Sequence, residues 1–107
     1  MKIPISGIYA ILIGEKYYIG MSRDIFSRWQ SHYTSLIIGK HSSHELQDLF
    51  NNIQITGLRF MVLFKIKTTG KKKVEIAREL RDKEKEIMGM FSQDNSLNKM
   101  KKYFKKS

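Results

Sequence analysis

The stretch Gly7-Ile8-Tyr9-Ala10-Ile11-Leu12-Ile13-Gly14-Glu15-Lys16-Tyr17-Tyr18-Ile19-Gly20 decides the fold. Its two ends carry the same three residue types in opposite order. One β-rich run ends at Ile13, Gly14-Glu15 follows, and a second begins at Lys16. Glycine at the first of two central positions is the signature of a type II′ hairpin turn. A two-residue loop fixes the register: Ile13 faces Lys16, Ile11 faces Tyr18 and Tyr9 faces Gly20. Side chains alternate across a strand, and paired residues share a face. Tyr9, Ile11, Ile13, Lys16 and Tyr18 therefore lie on one face, with Ile8, Ala10, Leu12, Tyr17 and Ile19 on the other. Gly20 sits beside Tyr9 with no side chain to obstruct it. A four-residue loop centred on the same bond keeps this register; a three-residue loop breaks it. Two tyrosine hydroxyls over a gap mark a candidate site, and strand tyrosines that simply pack are the plain alternative.

Outward from the hairpin, Ser22 and Asp24 are candidate caps for a helix. Phe26, Trp29, Tyr33 and Leu36 or Ile37 recur at helical spacing and are expected to face the core, with Gly39 at the C′ position. Arg28 and His32, four apart, stack on a stripe beside that face, where they suit a phosphate; an exposed Arg and a half-buried His are the bland reading. Ser42-Ser43-His44-Glu45 reads as a capping box for a second helix with Leu46, Leu49, Phe50 and Ile53 on its apolar face. Leu58 to Ile66 is dense in apolar residues and reads as a strand covered on both faces at the centre of the sheet. A long helix follows, through about Phe91, with Ala77, Leu80, Glu84, Ile87 and Phe91 on one stripe. Glu84 is the odd member, because a carboxylate on a core-facing stripe is costly unless paired or holding a cation. Glu79 and Glu86 fall toward solvent. An ion pair with Lys83 or an Arg at the rim is the alternative role for Glu84.

The 107 residues make one domain, read as a unit over 1–98 and a basic tail over 99–107, where five lysines surround Tyr103 and Phe104. With no cysteine there is neither a disulfide frame nor a cysteine zinc site. The N-terminus lacks an apolar signal region, and no apolar run nears the ~18 residues that span a bilayer, so a soluble cytoplasmic protein is expected. Twenty Lys and Arg against ten Asp and Glu give a formal charge of +10. That excess favours a polyanionic partner, nucleic acid before an anionic membrane surface.

The ordered set Gly7-Ile8-Tyr9, Tyr18-Ile19-Gly20, Arg28, His32, a helical Glu and Asn98 resembles the GIY-YIG nuclease superfamily over about Ser6 to Asn98. Gly39 to Gln47 further resembles the catalytic domain of phage and intron homing endonucleases in that family, which carry a similar His-Ser-Ser motif. The resemblance implies a small α+β fold: a three-stranded antiparallel sheet flanked by helices in the order β-β-α-α-β-α, with the site on one sheet face. It implies cleavage of DNA phosphodiesters with one divalent metal, Mg²⁺ with Mn²⁺ as a substitute, and no other cofactor or membrane partner. Carried over by position, Tyr9 is the proposed base or water-positioning group and Tyr18 helps order the site. Arg28 faces the scissile phosphate, and His32 follows one turn on. Glu84 is the metal ligand with Glu86 in reserve, because the family places an apolar residue three or four positions later and Ile87 and Met88 stand there. Gly20, His41 and Asn98 support the site. Lys16, Arg23, Lys40, Lys101 and Lys102 are candidate DNA contacts. The spacer from Ala10 to Tyr17 is shorter than the family often has. Repair, recombination or restriction nucleases and a non-catalytic nucleic-acid-binding module are the competing readings; a membrane-surface scaffold has no use for these residues.

Overall fold

The computed structural model describes residues 4–53 and 57–106. β1 (Ser6–Ile13) and β2 (Lys16–Ser22) form the expected hairpin, with Ile13 opposite Lys16, Ile11 opposite Tyr18 and Tyr9 opposite Gly20. Gly14 carries the turn with φ at 59°. The remaining elements are α1 (Ile25–Ile37), α2 (His44–Ile53), β3 (Leu58–Ile66) and α3 (Lys73–Met88), followed by a 3₁₀ turn at Gln93–Asn95. The architecture is therefore a three-stranded antiparallel sheet with three helices, in the expected element order.

The period of two sorts the hairpin into two cores. Ile8, Ala10, Tyr17 and Ile19 pack with Ile76, Leu80, Ile87 and Met88 of α3. Tyr9, Ile11 and Ile13 pack with Ile25 and Leu36 of α1 and Leu46 and Phe50 of α2. The sheet is thus sandwiched between α3 on one side and α1 and α2 on the other. Burial of these side chains, at about 25 cal/mol per Å², is the main source of stability.

Several details differ from the sequence reading. The strand order is β2-β1-β3, so β1 is central and β3 is an edge. Met61 and Phe64 of β3 are 49% and 41% exposed; apolar density there reflects a half-covered edge, not a double-covered centre. In α1, Asp24 is the cap, its side chain accepting from the Ser27 N–H, so helical phase starts at Ile25. The inward stripe is Ile25, Trp29, His32 and Leu36, whereas Phe26 and Ile37 are about half exposed. The stripe keeps Trp29 and Leu36 and turns toward Ile25 and His32. Gly39 takes the C′ position as expected: its N–H and that of Lys40 donate to Leu36 and Ser35. The cap of α2 is Ser43, whose Oγ accepts from Leu46 N–H, and Glu45 lies exposed in the first turn outside any capping box with Ser42. Leu46 and Phe50 are buried as expected, while the Ile53 side chain lies outside the described set. α3 stops at Met88, with Gly89 as its C-cap, three residues short of the expected end.

The basic C-terminal segment packs onto the domain. Phe104 is 4% exposed inside the α3 core, and Lys105 exchanges backbone hydrogen bonds with Phe91 and Gln93. Lys102, Lys105 and Lys106 remain exposed. The preceding residues cover the free edge of β2: Leu97 N–H donates to the Tyr17 carbonyl, and Tyr17 bridges Ser96.

Candidate active site

Both motif glycines are required by space. A Cβ at Gly20 would fall inside the ring of Tyr9, and one at Gly7 would collide with the Phe64 backbone of β3, beside the bulge at Ile8/Tyr9. The mirrored spelling therefore has a steric origin: one glycine admits the tyrosine ring and the other admits the neighbouring strand.

Tyr9 is almost fully buried, and its hydroxyl lies 2.9 Å from His32 Nε2. His32 Nδ1 lies 2.7 Å from His41 Nε2, and the Ser43 N–H donates to His41 Nδ1 at 2.9 Å. A backbone N–H can only donate, and this assigns the ring tautomers. His41 Nδ1 is unprotonated, so neutral His41 donates from Nε2 to His32 Nδ1. Neutral His32 then donates from Nε2 to the Tyr9 hydroxyl oxygen. Both rings are held neutral. Burial, then His41 and Arg28, push His32 down to about 4, and burial lowers His41 against an opposing pull from the Ser43 backbone. Tyr9 accordingly receives a hydrogen bond and directs its own proton elsewhere.

His41 is fixed by a residue to which the sequence reading gave no role. Gln47 is buried; its Oε1 accepts from the His41 N–H, and its Nε2 donates to the Leu36 carbonyl and to Asn51. An amide one turn into a helix looks ordinary in sequence, and only its burial marks it.

Tyr18 shares the face of Tyr9, and its ring sits 5.6 Å from that of His32. Tyr17 lies on the other face, with its hydroxyl donating to the Ser92 carbonyl. Asn98 supports the edge from outside: Oδ1 accepts from Ile19 N–H at 2.9 Å, and Nδ2 donates to the Ile19 carbonyl at 2.7 Å. Its side chain thereby serves β2 as a neighbouring strand would.

Glu84 reaches this centre from α3, the helix on the opposite face. It lines a cavity of about 380 Å³ with Tyr18, Ile19, Leu97 and Asn98. The site therefore straddles the β2 edge and is not confined to one sheet face. Glu84 is half-buried, and burial pushes its carboxyl up. It has no hydrogen bond or ion pair among the described residues: Lys83, the alternative partner, binds Glu86 at 2.7 Å instead. Burial, Tyr18 and Glu84 raise the Tyr9 phenol, whereas Arg28 lowers it; Tyr18 is raised by burial and Glu84 and lowered by Arg28. Arg28 and Glu84 thus act on the same two tyrosines with opposite sign.

An unpaired, half-buried carboxylate fits a cation. Among the described residues no group of three or more His, Cys, Asp or Glu is placed to hold one. A metal held here would have Glu84 as its one carboxylate from this group of residues, a donor set that suits Mg²⁺. Glu86 and Glu79 are exposed, Glu79 pairing with Lys71 at 2.9 Å, and neither lines the cavity.

Of the expected DNA contacts, Lys40 lines a smaller cavity of about 230 Å³ with Arg28, His32 and His41. Lys102 stands 5.1 Å from the Tyr103 ring centroid, and Tyr103 lines the larger cavity. Lys16, Arg23 and Lys101 line neither one; Arg23 donates to the Lys73 carbonyl at the head of α3. Among the described residues no helix is long and apolar enough to cross a membrane.

No protein-family model matches the chain. Over 48 residues it is 44% identical to intron-associated endonuclease 1 of Enterobacteria phage T4, a match covering 43% of this chain and 20% of that relative. A mutant of the catalytic domain of intron endonuclease I-TevI superposes with a TM-score of 0.64 at 29% identity, over 94% of this chain and 98% of that one. A second structure, of the catalytic domain of homing endonuclease I-TevI, gives the same score and identity over 89% and 98%.

Proposed function

We propose that this chain, which belongs to the GIY-YIG nuclease superfamily by its fold and ordered motif residues, is a metal-dependent DNA endonuclease of homing type acting inside the cell. The observation that carries the proposal is that a donor-held Tyr9 and its face-mate Tyr18 lie within the influence of both the Arg28 cation and the unpaired Glu84 carboxylate. The net charge of +10 supplies sequence-independent attraction to DNA, so binding weakens steeply with salt.

Arg28 presents a planar, permanently charged fork to phosphate oxygens and counters the charge that grows on them. His32 Nε2–H holds the oxygen of Tyr9 in place and stabilises it as phenolate; His41 and the Ser43 N–H hold His32 in the donor tautomer. The attacking water gives its proton to Tyr9 Oη. Burial makes that phenolate scarce but strongly basic, and the Arg28 charge, beside the His32 donor, favours its formation. Glu84 would hold a divalent ion, which when bound would supply further positive charge for the phosphate and leaving oxygen. Nicking is expected to accelerate with pH from 6 to 9, as the phenolate fraction grows; a flat profile argues against Tyr9 as base.

Plasmid nicking with Mg²⁺, or with EDTA, tests the reading. Wild type is expected to nick only with Mg²⁺, Arg28→Ala and Glu84→Gln to fail, and Glu86→Gln to nick normally. Activity lost in Glu86→Gln and kept in Glu84→Gln overturns the ligand choice. Folded wild type that cuts no DNA with Mg²⁺ leaves a binding module.

A further inference from the structure

The cavity beside Glu84 is larger and more apolar than a single phosphate requires. Its volume is about 380 Å³, and three residues lining it, Ile19, Met88 and Leu97, are buried and apolar. Phosphate gains nothing from such a surface, whereas the sugar and base of a nucleotide do. Its rim is cationic. Lys99 and Tyr103 line it, and the ammonium groups of Lys85 and Lys102 stand 4.9 Å and 5.1 Å from the Tyr103 ring centroid. The smaller cavity, with Arg28 and Lys40, shares Ser42 with the larger one. The two cavities adjoin at Ser42, with Arg28 and Lys40 on one side and the apolar wall and the Lys99–Tyr103 rim on the other.

We propose that the larger cavity is a nucleoside seat. It takes one deoxynucleoside of the cut strand, unstacked from its neighbours, between the scissile phosphate at Arg28 and a second phosphate at the Lys85–Tyr103–Lys102 rim. This rests on the nuclease reading of the site. Unstacking costs energy. Burial of sugar and base against Ile19, Met88 and Leu97 returns part of it, and the rim ammonium groups return more. Lys85 and Lys102 are thereby substrate contacts, set apart from the lysines of β3 and the α3 head by their place beside Tyr103, which lines the cavity.

Deoxythymidine 3′,5′-bisphosphate tests the seat, because it carries a nucleoside between two phosphates and has no internucleotide bond to cut. Titrated into the full chain and followed by amide NMR shifts, it is expected to bind about tenfold more tightly than deoxythymidine 5′-monophosphate, as one charge-assisted contact provides. Amides of Ile19, Leu97 and Tyr103 should shift. The K85A/K102A variant should lower bisphosphate affinity about tenfold. The K67A/K72A variant, which removes two exposed lysines that line neither cavity, should leave it unchanged. Equal loss in both variants, or shifts confined to residues 28–42, overturns the proposal. Nicking by the same preparations separates the two readings. Wild type that nicks DNA without preferring the bisphosphate loses the seat and keeps the nuclease. Wild type that prefers the bisphosphate but never nicks keeps the seat and loses the nuclease.

Discussion

Tyr17 and Tyr18 are adjacent on β2 and have opposite surroundings. Tyr17 packs 5.0 Å from Phe91 and 6.2 Å from Phe104, with its hydroxyl bonded to a backbone carbonyl. Tyr18 meets His32 and the cavity that holds Glu84. The strand gives both residues the same backbone; what differs is the chain laid over each face. On the Tyr17 face α3 and the C-terminal segment leave an apolar layer in which the Tyr17 hydroxyl is satisfied. Around Tyr18 burial favours the neutral form of a whole cluster: Tyr9, Tyr18 and the edge carboxylate Glu84 are raised, and His32 and His41 lowered. A face that disfavours its own charges has the electrostatics of a site awaiting a charged substrate and a cation.

The contrast can be broken by mutation. The largest effect is expected at the functional face: Arg28→Ala and Glu84→Gln should each slow nicking by about 10²–10³-fold, the cost of removing a preorganised charge. Melting temperature should hardly move, because both side chains lack stabilising partners among the described residues. A large drop in melting temperature would make them structural and erase the difference between faces. Next comes Phe104→Ala on the opposite face, expected to cost about 3 kcal/mol of stability in urea unfolding. Nicking per folded molecule should survive.

Asn98→Leu sharpens the boundary between the two. It strips the Ile19 N–H and carbonyl of their partners and should cost about 2 kcal/mol by the same measurement. It should also slow nicking, since the β2 edge positions Tyr18. A variant that loses stability but keeps its rate would show that the edge serves the fold alone. The smallest effect is in pH. His32 is held at about 4, below its unfolded value near 6.5, so between these pH values the unfolded chain binds a proton that the folded chain refuses. Stability is full above pH 6.5 and falls as pH drops toward 4, and His41 acts in the same direction. Melting read from pH 7 to 5, before most carboxylates titrate, should show this slope, reduced in His32→Gln.

The hairpin was fully legible in sequence, down to the pairing of Tyr9 with Gly20 and the opposite facing of Tyr17 and Tyr18. Glu84 was legible as the carboxylate out of place on an apolar stripe. The phase of α1 was not: Phe26 and Ile25 compete for one inward position, and the cap at Asp24 settles it in favour of Ile25. Nor was the place of β3, whose apolar run suits a centre or an edge equally well until a partner strand is chosen. The basic C-terminal segment read as a tail because its lysines outnumber Phe104, the side chain it buries in the α3 core.

The sequence alone determined what depends on neighbours a few residues apart: a two-residue turn, an alternation of faces, and the helical spacing of Arg28 and His32. These follow from backbone geometry with period 2 or 3.6, which needs no knowledge of the rest of the chain. Tertiary structure decided the meeting of distant parts. It brought His41 against His32, set Glu84 in a cavity at the β2 edge that Tyr18 lines from the other face, and placed Ser96 to Asn98 along that edge. The physical reason is that such contacts are selected by the joint burial of two apolar layers and the pairing of a free strand edge, and no local pattern encodes either.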